Sequence, residues 1–222
     1  MSEGSEALRA DLRRGGLTDS AVLSALEAVR RELFLPAELA ELAYQNRALA
    51  IGWGQTCSQP QIVGMTVGAL AGSGLGTVLE VGAGSGYLAA VLRAAGAADV
   101  IAIELVPELA AVCRHNLNRA FVTGVEVRVG DGRLGAPDRA PFDAVAISAA
   151  AEAVPAALLD QVRVGGRLVA PLGSPQEQHL WVLHRSQAGW DRRDLGPCRF
   201  VPLLGEPEAG SAADPGKLFW RG

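Results

Sequence analysis

A cysteine and a serine stand side by side, Cys57 and Ser58, in the stretch "IGWGQTCSQPQIV". They lie between a glycine-rich turn and a proline. Either side chain has the chemistry of a nucleophile when a base activates it. The histidines, His115, His179 and His184, are far away along the chain. A second group of reactive types surrounds "VLEVGAGSGYLAAVL". Glu80 precedes Gly82, Gly84 and Gly86, a GxGxG spacing rather than the GxGxxG of dinucleotide sites. Glu104 ends the apolar run "VIAIEL", and Asp131 sits in "GDG" after a third run.

The acids set the chemistry of the glycine turn. A carboxylate at Glu80 opposes a pyrophosphate approaching a helix N-terminus, and suits a ligand that carries positive charge. S-adenosylmethionine has an ammonium, a sulfonium and no phosphate. Glu104 lies where an acid accepts hydrogen bonds from ribose hydroxyls, roughly twenty residues past the glycines. Asp131 falls on the adenine side of the same crevice. An adenosyl ligand with a cationic methionine end fits this set of acids best. A nicotinamide-dependent oxidoreductase is the competing reading, disfavoured by Glu80 and by the glycine spacing.

These residues need a scaffold. "TVLEV", "DVIAIEL", "VEVRVGD", "FDAVAISA" and "GRLVAPL" are short runs rich in β-branched and leucine residues, with little polar alternation. Such runs suit parallel strands buried on both faces. The helical segments "GYLAAVLRAAG", "PELAAVCRHNLNRA" and "VPAALLDQV" lie between them. Strand and helix in alternation predict a doubly wound α/β fold. "QHLWVLHR", a turn around Gly189 and "CRFVPLL" leave no room for a crossover helix, which predicts an antiparallel C-terminal edge. Upstream, "TDSAVLSALEAVRRELFLP" reads as one helix capped by Thr18, Asp19 or Ser20. "QPQIVGMTVGALAG" reads as another, with Pro60 in its first turn. The quoted stretch between them reads as a loop. One domain is expected over 1–222: N-terminal helices and active-site loop to 75, the sheet over 76–204, and a mobile polar tail over 205–222.

Composition excludes several function classes. A net charge of -4 over 222 residues provides no overall basic footprint for nucleic acid. Nothing resembles a signal peptide or a membrane span. Cys57, Cys113 and Cys198 are odd in number and far apart, so a disulfide framework is not expected and a cytoplasmic location is. Cys113 and His115 are two apart on a helix and do not share a face, so no metal site is expected.

The motifs together resemble the protein-L-isoaspartate O-methyltransferases. The resemblance runs through "AYQNRALAIGWGQTCSQPQIV", "VLEVGAGSGYLAAVL", "VGDGRLGAPDRAPFDAVAISAAA", "VPAALLDQVRVGGRLVAPLG" and "LGPCRFVPLLG". It implies a class I S-adenosylmethionine-dependent methyltransferase fold with a mostly parallel seven-stranded sheet. It implies methyl transfer from S-adenosylmethionine to the free α-carboxylate of L-isoaspartyl residues in peptides and age-damaged proteins, yielding S-adenosylhomocysteine. By position, Ser58 matches the active-site serine. Gln55, Thr56, Cys57 and Ser58 would face the cofactor. Gly82, Gly84 and Ser85 would surround its methionine part, with Glu80 beside them. Glu104 and Leu105 would hold the ribose and flank the adenine, and Asp131 and Gly132 would stand on the adenine's far side. The chain departs from the family pattern at Cys57, where isoleucine is usual, and at Asn46, Ala48, Ala50 and Ala151. The resemblance leaves two alternatives open: a related enzyme acting on another carboxylate in a dedicated peptide pathway, and a cofactor-binding protein without turnover. Since the acceptor is already a carboxylate near neutrality, no general base is required. Ser58 is then expected to orient the acceptor, and Cys57 to pack as a small apolar residue.

Overall fold

The computed structural model describes residues 3–72 and 74–205. Its elements in chain order are α1 (Glu3–Arg14), α2 (Ser20–Ala28), β1 (Leu49–Gly52), β2 (Gln55–Cys57), α3 (Pro60–Ala71), β3 (Thr77–Val81), α4 (Tyr87–Ala94), β4 (Asp99–Glu104), α5 (Pro107–Arg119), β5 (Val125–Val129), β6 (Phe142–Ile147), α6 (Ala156–Asp160), β7 (Val162–Gly173), β8 (Gln178–Ser186) and β9 (Gly189–Cys198). Seven strands form one sheet in the order β5-β4-β3-β6-β7-β8-β9. The strands from β5 to β7 are parallel, and β8 and β9 add antiparallel at one edge. The order reverses between β3 and β6, and the crevice at such a reversal is the usual ligand site of open α/β sheets.

Alternation along the strands feeds two cores. Val78, Val100, Ala102, Ala144 and Val169 point to the face covered by α2 to α5. Leu79, Val81, Ile101, Ile103, Val145 and Leu168 point to the other face, against Phe142, Leu158 and Ala136. That second face is thinly covered. The β5–β6 connection holds only 3-10 turns at Gly132–Leu134 and Pro137–Arg139, and α6 is five residues long.

Three sequence expectations change. The helix expected through "TDSAVLSALEAVRRELFLP" starts as read, with Asp19 Oδ1 accepting from the amides of Ala21 and Val22 at 2.8 and 3.2 Å. It stops at Ala28. Val29 and Arg30 are extended, and Arg31–Phe34 forms a separate 3-10 turn. The break carries the Arg31 side chain inward, which a continuous helix would not do. The expected loop contains a β-hairpin, β1 and β2, paired antiparallel with Leu49 opposite Cys57. The last edge strand is not "CRFVPLL" but Gly189–Cys198. Its "WDRRD" stretch is exposed and polar, so apolar periodicity missed it; the backbone ladder to β8 defines it instead. Arg199–Leu204 runs on as irregular chain, tied to Ala150 by Leu203 N–H at 2.7 Å, while the Ala150 amide donates to Val201 O at 2.8 Å. Apart from Gly205, the expected tail lies outside the described residues.

Candidate active site

A cleft of about 930 Å³ opens at the C-terminal ends of β3, β4 and β6. The glycine turn forms its floor. The amides of Gly82 and Ala83 both donate to Ile103 O, at 2.8 and 3.0 Å, which ties the turn to the neighbouring strand. Gly86 has φ 88° and begins α4. A Cβ there would stand 2.9 Å from Cys113 Sγ, so its glycine lets α4 approach α5. Asn116 of α5, itself buried, donates to Ser85 O at 3.1 Å and holds the turn from behind.

Glu104 and Glu80 supply the charge. Glu104 Oε2 accepts from Gly84 N–H at 2.8 Å, and Oε1 from Val106 N–H at 3.1 Å. The carboxylate therefore fixes the glycine turn and keeps lone pairs for a diol. Glu80 lines the cleft at 1 % exposure. Burial, with the charge of Glu104 adding to it, raises its carboxyl well above the ordinary range. Its Oε2 is buried without a hydrogen-bond partner among the described residues. An unmatched buried carboxyl beside a second acid calls for a cationic or hydrogen-bond-donating ligand.

The β1–β2 hairpin forms one wall and the Phe200–Gly205 segment another. Leu49, Ile51 and Cys57 face the core, so the hairpin is anchored by apolar burial on alternate residues. Its turn is tight: Gly52, Trp53 and Gly54 all have positive φ, at 89°, 52° and 70°. Ser58, half-buried at the hairpin's end, lines the cleft, and its hydroxyl has no partner among the described residues. The next helix is capped at a distance. Gln59 offers α3 no side-chain cap, and Asn46 Oδ1 accepts the Gln61 amide at 3.0 Å instead.

Eleven of the twelve residues predicted to face a cofactor line this one cleft: Gln55, Thr56, Cys57, Ser58, Glu80, Gly82, Gly84, Ser85, Glu104, Leu105 and Gly132. Asp131 does not. Its carboxylate is turned to Arg133, accepting from the Arg133 amide at 2.9 Å and from Nη2 at 2.6 Å. Sequence reasoning missed Trp53, Ser148 and Tyr87. Ser148 follows β6 and donates its amide to Val81 O at 2.8 Å; its place at the end of an apolar run was the available signal. The histidines stay away from the cleft: His115 is exposed on α5, and His179 pairs with Asp194 at 2.7 Å on the sheet edge. Among the described residues no cluster of His, Cys, Asp and Glu could hold a metal, and no helix is long and apolar enough to cross a membrane.

Residues 3–208 match the model of the protein-L-isoaspartate(D-aspartate) O-methyltransferase family. The chain belongs to this family. It is 47% identical over 201 residues to protein-L-isoaspartate O-methyltransferase 2 of Marinobacter nauticus, covering 90% of this chain and 91% of that one. Against the protein-L-isoaspartate O-methyltransferase of Methylorubrum populi it is 49% identical over 198 residues, 89% and 92% of the two chains. A solved protein-L-isoaspartate O-methyltransferase superposes with a TM-score of 0.79 at 24% identity, over 90% of this chain and 66% of that one. A Plasmodium falciparum protein described as a family member superposes equally well at 21% identity, over 92% and 100%. It was solved with S-adenosyl-L-homocysteine bound. These last two likenesses concern the fold.

Proposed function

We infer that this family member transfers a methyl group from S-adenosylmethionine to the free α-carboxylate of L-isoaspartyl residues in peptides and damaged proteins. The products are S-adenosylhomocysteine and a methyl ester that recyclises through a succinimide, which starts repair of the main chain. The observation that carries the reading is the convergence of Glu80, Glu104, the glycine turn and the Ser58 hairpin on one cleft. The buried, unpartnered Glu80 oxygen fits the ammonium of the methionine end. Glu104 would accept from the ribose hydroxyls. Gly82, Gly84 and Ser85 would border the methionine portion, and Leu105 and Gly132 the adenine, with Asp131 acting from behind Gly132 through its hold on Arg133.

Bound there, S-adenosylmethionine supplies a methyl on a positive sulfur, which an oxygen anion displaces. The acceptor carboxylate is ionised near neutrality, since its reference pKa is roughly 3.5–4. The site therefore needs orientation rather than proton removal, which agrees with the distance of all three histidines from the cleft. The Ser58 hydroxyl would donate one hydrogen bond to the acceptor carboxylate and fix the attacking oxygen. The Trp53 hairpin and the Phe200–Gly205 wall would hold the peptide and exclude water. Three separated cysteines suit a reducing, cytoplasmic setting.

The test is transfer of a labelled methyl group. With labelled S-adenosylmethionine and an isoaspartyl peptide, the label should enter the peptide as a base-labile ester, one per isoaspartate. Binding of S-adenosylhomocysteine without any transfer would leave a cofactor-binding protein and reject the enzyme reading.

A further inference from the structure

The residue that holds the serine loop in place is not in the cleft. Arg31 is 1% exposed and sits in the 3-10 turn that breaks the second helix. Its Nη1 donates to Ala43 O at 2.9 Å and to Gln45 O at 3.1 Å. Its Nη2 donates to Arg47 O at 2.9 Å, Ser58 O at 3.0 Å and, more weakly, Cys57 O at 3.4 Å. The guanidinium lies 5.6 Å from the centre of the Tyr87 ring, and Tyr87 is the first residue of α4, directly after the glycine turn. No carboxylate lies within ion-pair distance among the described residues. Its Nε is buried without a partner among the described residues.

A buried cation without an opposing charge is costly, and an apolar residue would fill the space more cheaply. What arginine alone supplies is a rigid planar fork with several donors at fixed angles. Here that fork joins three pieces of chain: the 43–47 segment, the Cys57–Ser58 backbone and the start of the helix behind the glycine turn. The first contains Asn46, which caps the helix after Ser58. The second carries the serine. The third borders the cofactor cleft. We propose that Arg31 is a positioning residue for methyl transfer, setting the place of Ser58 relative to the glycine turn through the Ser58 carbonyl. The inference rests on the orienting role given to Ser58 above.

Lysine at this position keeps the charge but is a point donor on a flexible stem, unable to span carbonyls on separate segments. Arg31→Lys should therefore lower kcat by about tenfold to a hundredfold, the loss expected for a small displacement of an orienting group. Affinity for S-adenosylhomocysteine, measured by calorimetry, should stay within about threefold, because hydrogen bonds of the glycine turn to Ile103, Glu104 and Asn116 remain. The deciding measurement is a double-mutant cycle with Ser58→Ala in single-turnover assays. If Arg31 acts through the serine, the double variant is no slower than Ser58→Ala alone. Additive losses overturn the proposal. So does an Arg31→Lys enzyme with normal kcat, or one that loses cofactor affinity as steeply as rate. Loss of the folded state in both Arg31→Lys and Arg31→Gln also overturns it, since the residue would then hold up the whole domain. A fully active Ser58→Ala enzyme removes the serine's role itself. An impaired Ser58→Ala enzyme beside an unimpaired Arg31→Lys enzyme removes only the role of Arg31.

Discussion

Glu80 and Glu104 are neighbours in the same cleft and do different work. Glu104 is satisfied by two backbone amides, so removing it has two consequences. Glu104→Ala should weaken S-adenosylhomocysteine binding by about tenfold or more, from lost charge-assisted bonds of roughly 1.5–3 kcal/mol each. It should also lower Tm, because the Gly84 and Val106 amides lose their acceptor. Unchanged affinity in a folded variant would remove the ribose assignment. Glu80 has no such partners, and burial holds its proton on above the ordinary carboxyl range. A cationic ligand favours the ionised form, so binding should release a proton. Affinity should rise with pH from the ordinary carboxyl range up to the raised pKa, then level off. The sign for folding is the reverse. A carboxyl with a raised folded pKa contributes fully below its unfolded pKa, and that contribution is lost as pH rises through the folded value. Glu80→Gln should therefore stabilise the ligand-free protein at neutral pH while flattening the pH dependence of binding. Calorimetry in buffers of different ionisation enthalpy reads the proton directly; equal heats in all buffers would contradict the assignment. Cys57 borders the cleft but is packed into the core at 4% exposure. Cys57→Ala should keep kcat within a few-fold and cost about 1–2 kcal/mol of stability in a urea titration. A collapse in kcat without loss of stability would make the thiol part of the chemistry.

At the scale of elements, the β1–β2 hairpin offers the sharpest test. Trp53 stands at φ 52°, 37% exposed, at the tip of a turn that lines the cleft. Glycine would adopt that φ at no cost, whereas a bulky side chain there costs of order 1 kcal/mol or more. Trp53→Gly should therefore leave Tm unchanged or raise it, leave S-adenosylhomocysteine affinity within about threefold, and raise the peptide KM by about tenfold through loss of an aromatic contact. A tenfold loss of cofactor affinity would show that Trp53 covers the cofactor instead. The elements also mark what the sequence made legible. The strands β3, β4 and β6 are legible because both faces are buried and their runs are largely apolar, whereas β5, an edge strand with Glu126 and Arg128 between its valines, shows through its β-branched residues alone. The cleft followed, since its acids stand at strand ends beside a glycine turn. The hairpin reads as a loop because "LAIGWGQTC" is only nine residues with two glycines at its turn, and its alternation is short. β9 carries no apolar pattern because an edge strand needs none. Arg31 was invisible for a different reason: within "AVRRELF" it looks like any exposed helix charge, and only tertiary carbonyls from distant segments bring it inside.

At the scale of the molecule, one sheet presents a cleft with two walls of different origin, the N-terminal hairpin and the chain after β9. The proposed peptide path runs where these walls meet. The Phe200 backbone is held at both ends by Gln178, whose Oε1 accepts its amide at 2.7 Å and whose Nε2 donates to its carbonyl at 3.3 Å. Beyond it, Pro202 bridges to Ala150 near the end of β6. A wall built of backbone and apolar side chains asks little of peptide sequence. What it can read is the course of the main chain. An isoaspartyl linkage routes the backbone through the side-chain methylene and leaves the α-carboxylate free; an aspartyl residue of the same composition places its carboxylate elsewhere. A methylene in a pocket is worth only about 1–3 kcal/mol. Here it also shifts the attacking oxygen, and a misplacement of about 1 Å can cost on the order of a hundredfold. Together these should favour isoaspartyl over aspartyl peptides by at least about a hundredfold in kcat/KM, with several unrelated isoaspartyl peptides accepted. Matched peptide pairs in competition for labelled S-adenosylmethionine measure the ratio. Equal methylation within pairs would reject the repair reading, and methylation confined to one sequence would point to an enzyme of a dedicated peptide pathway.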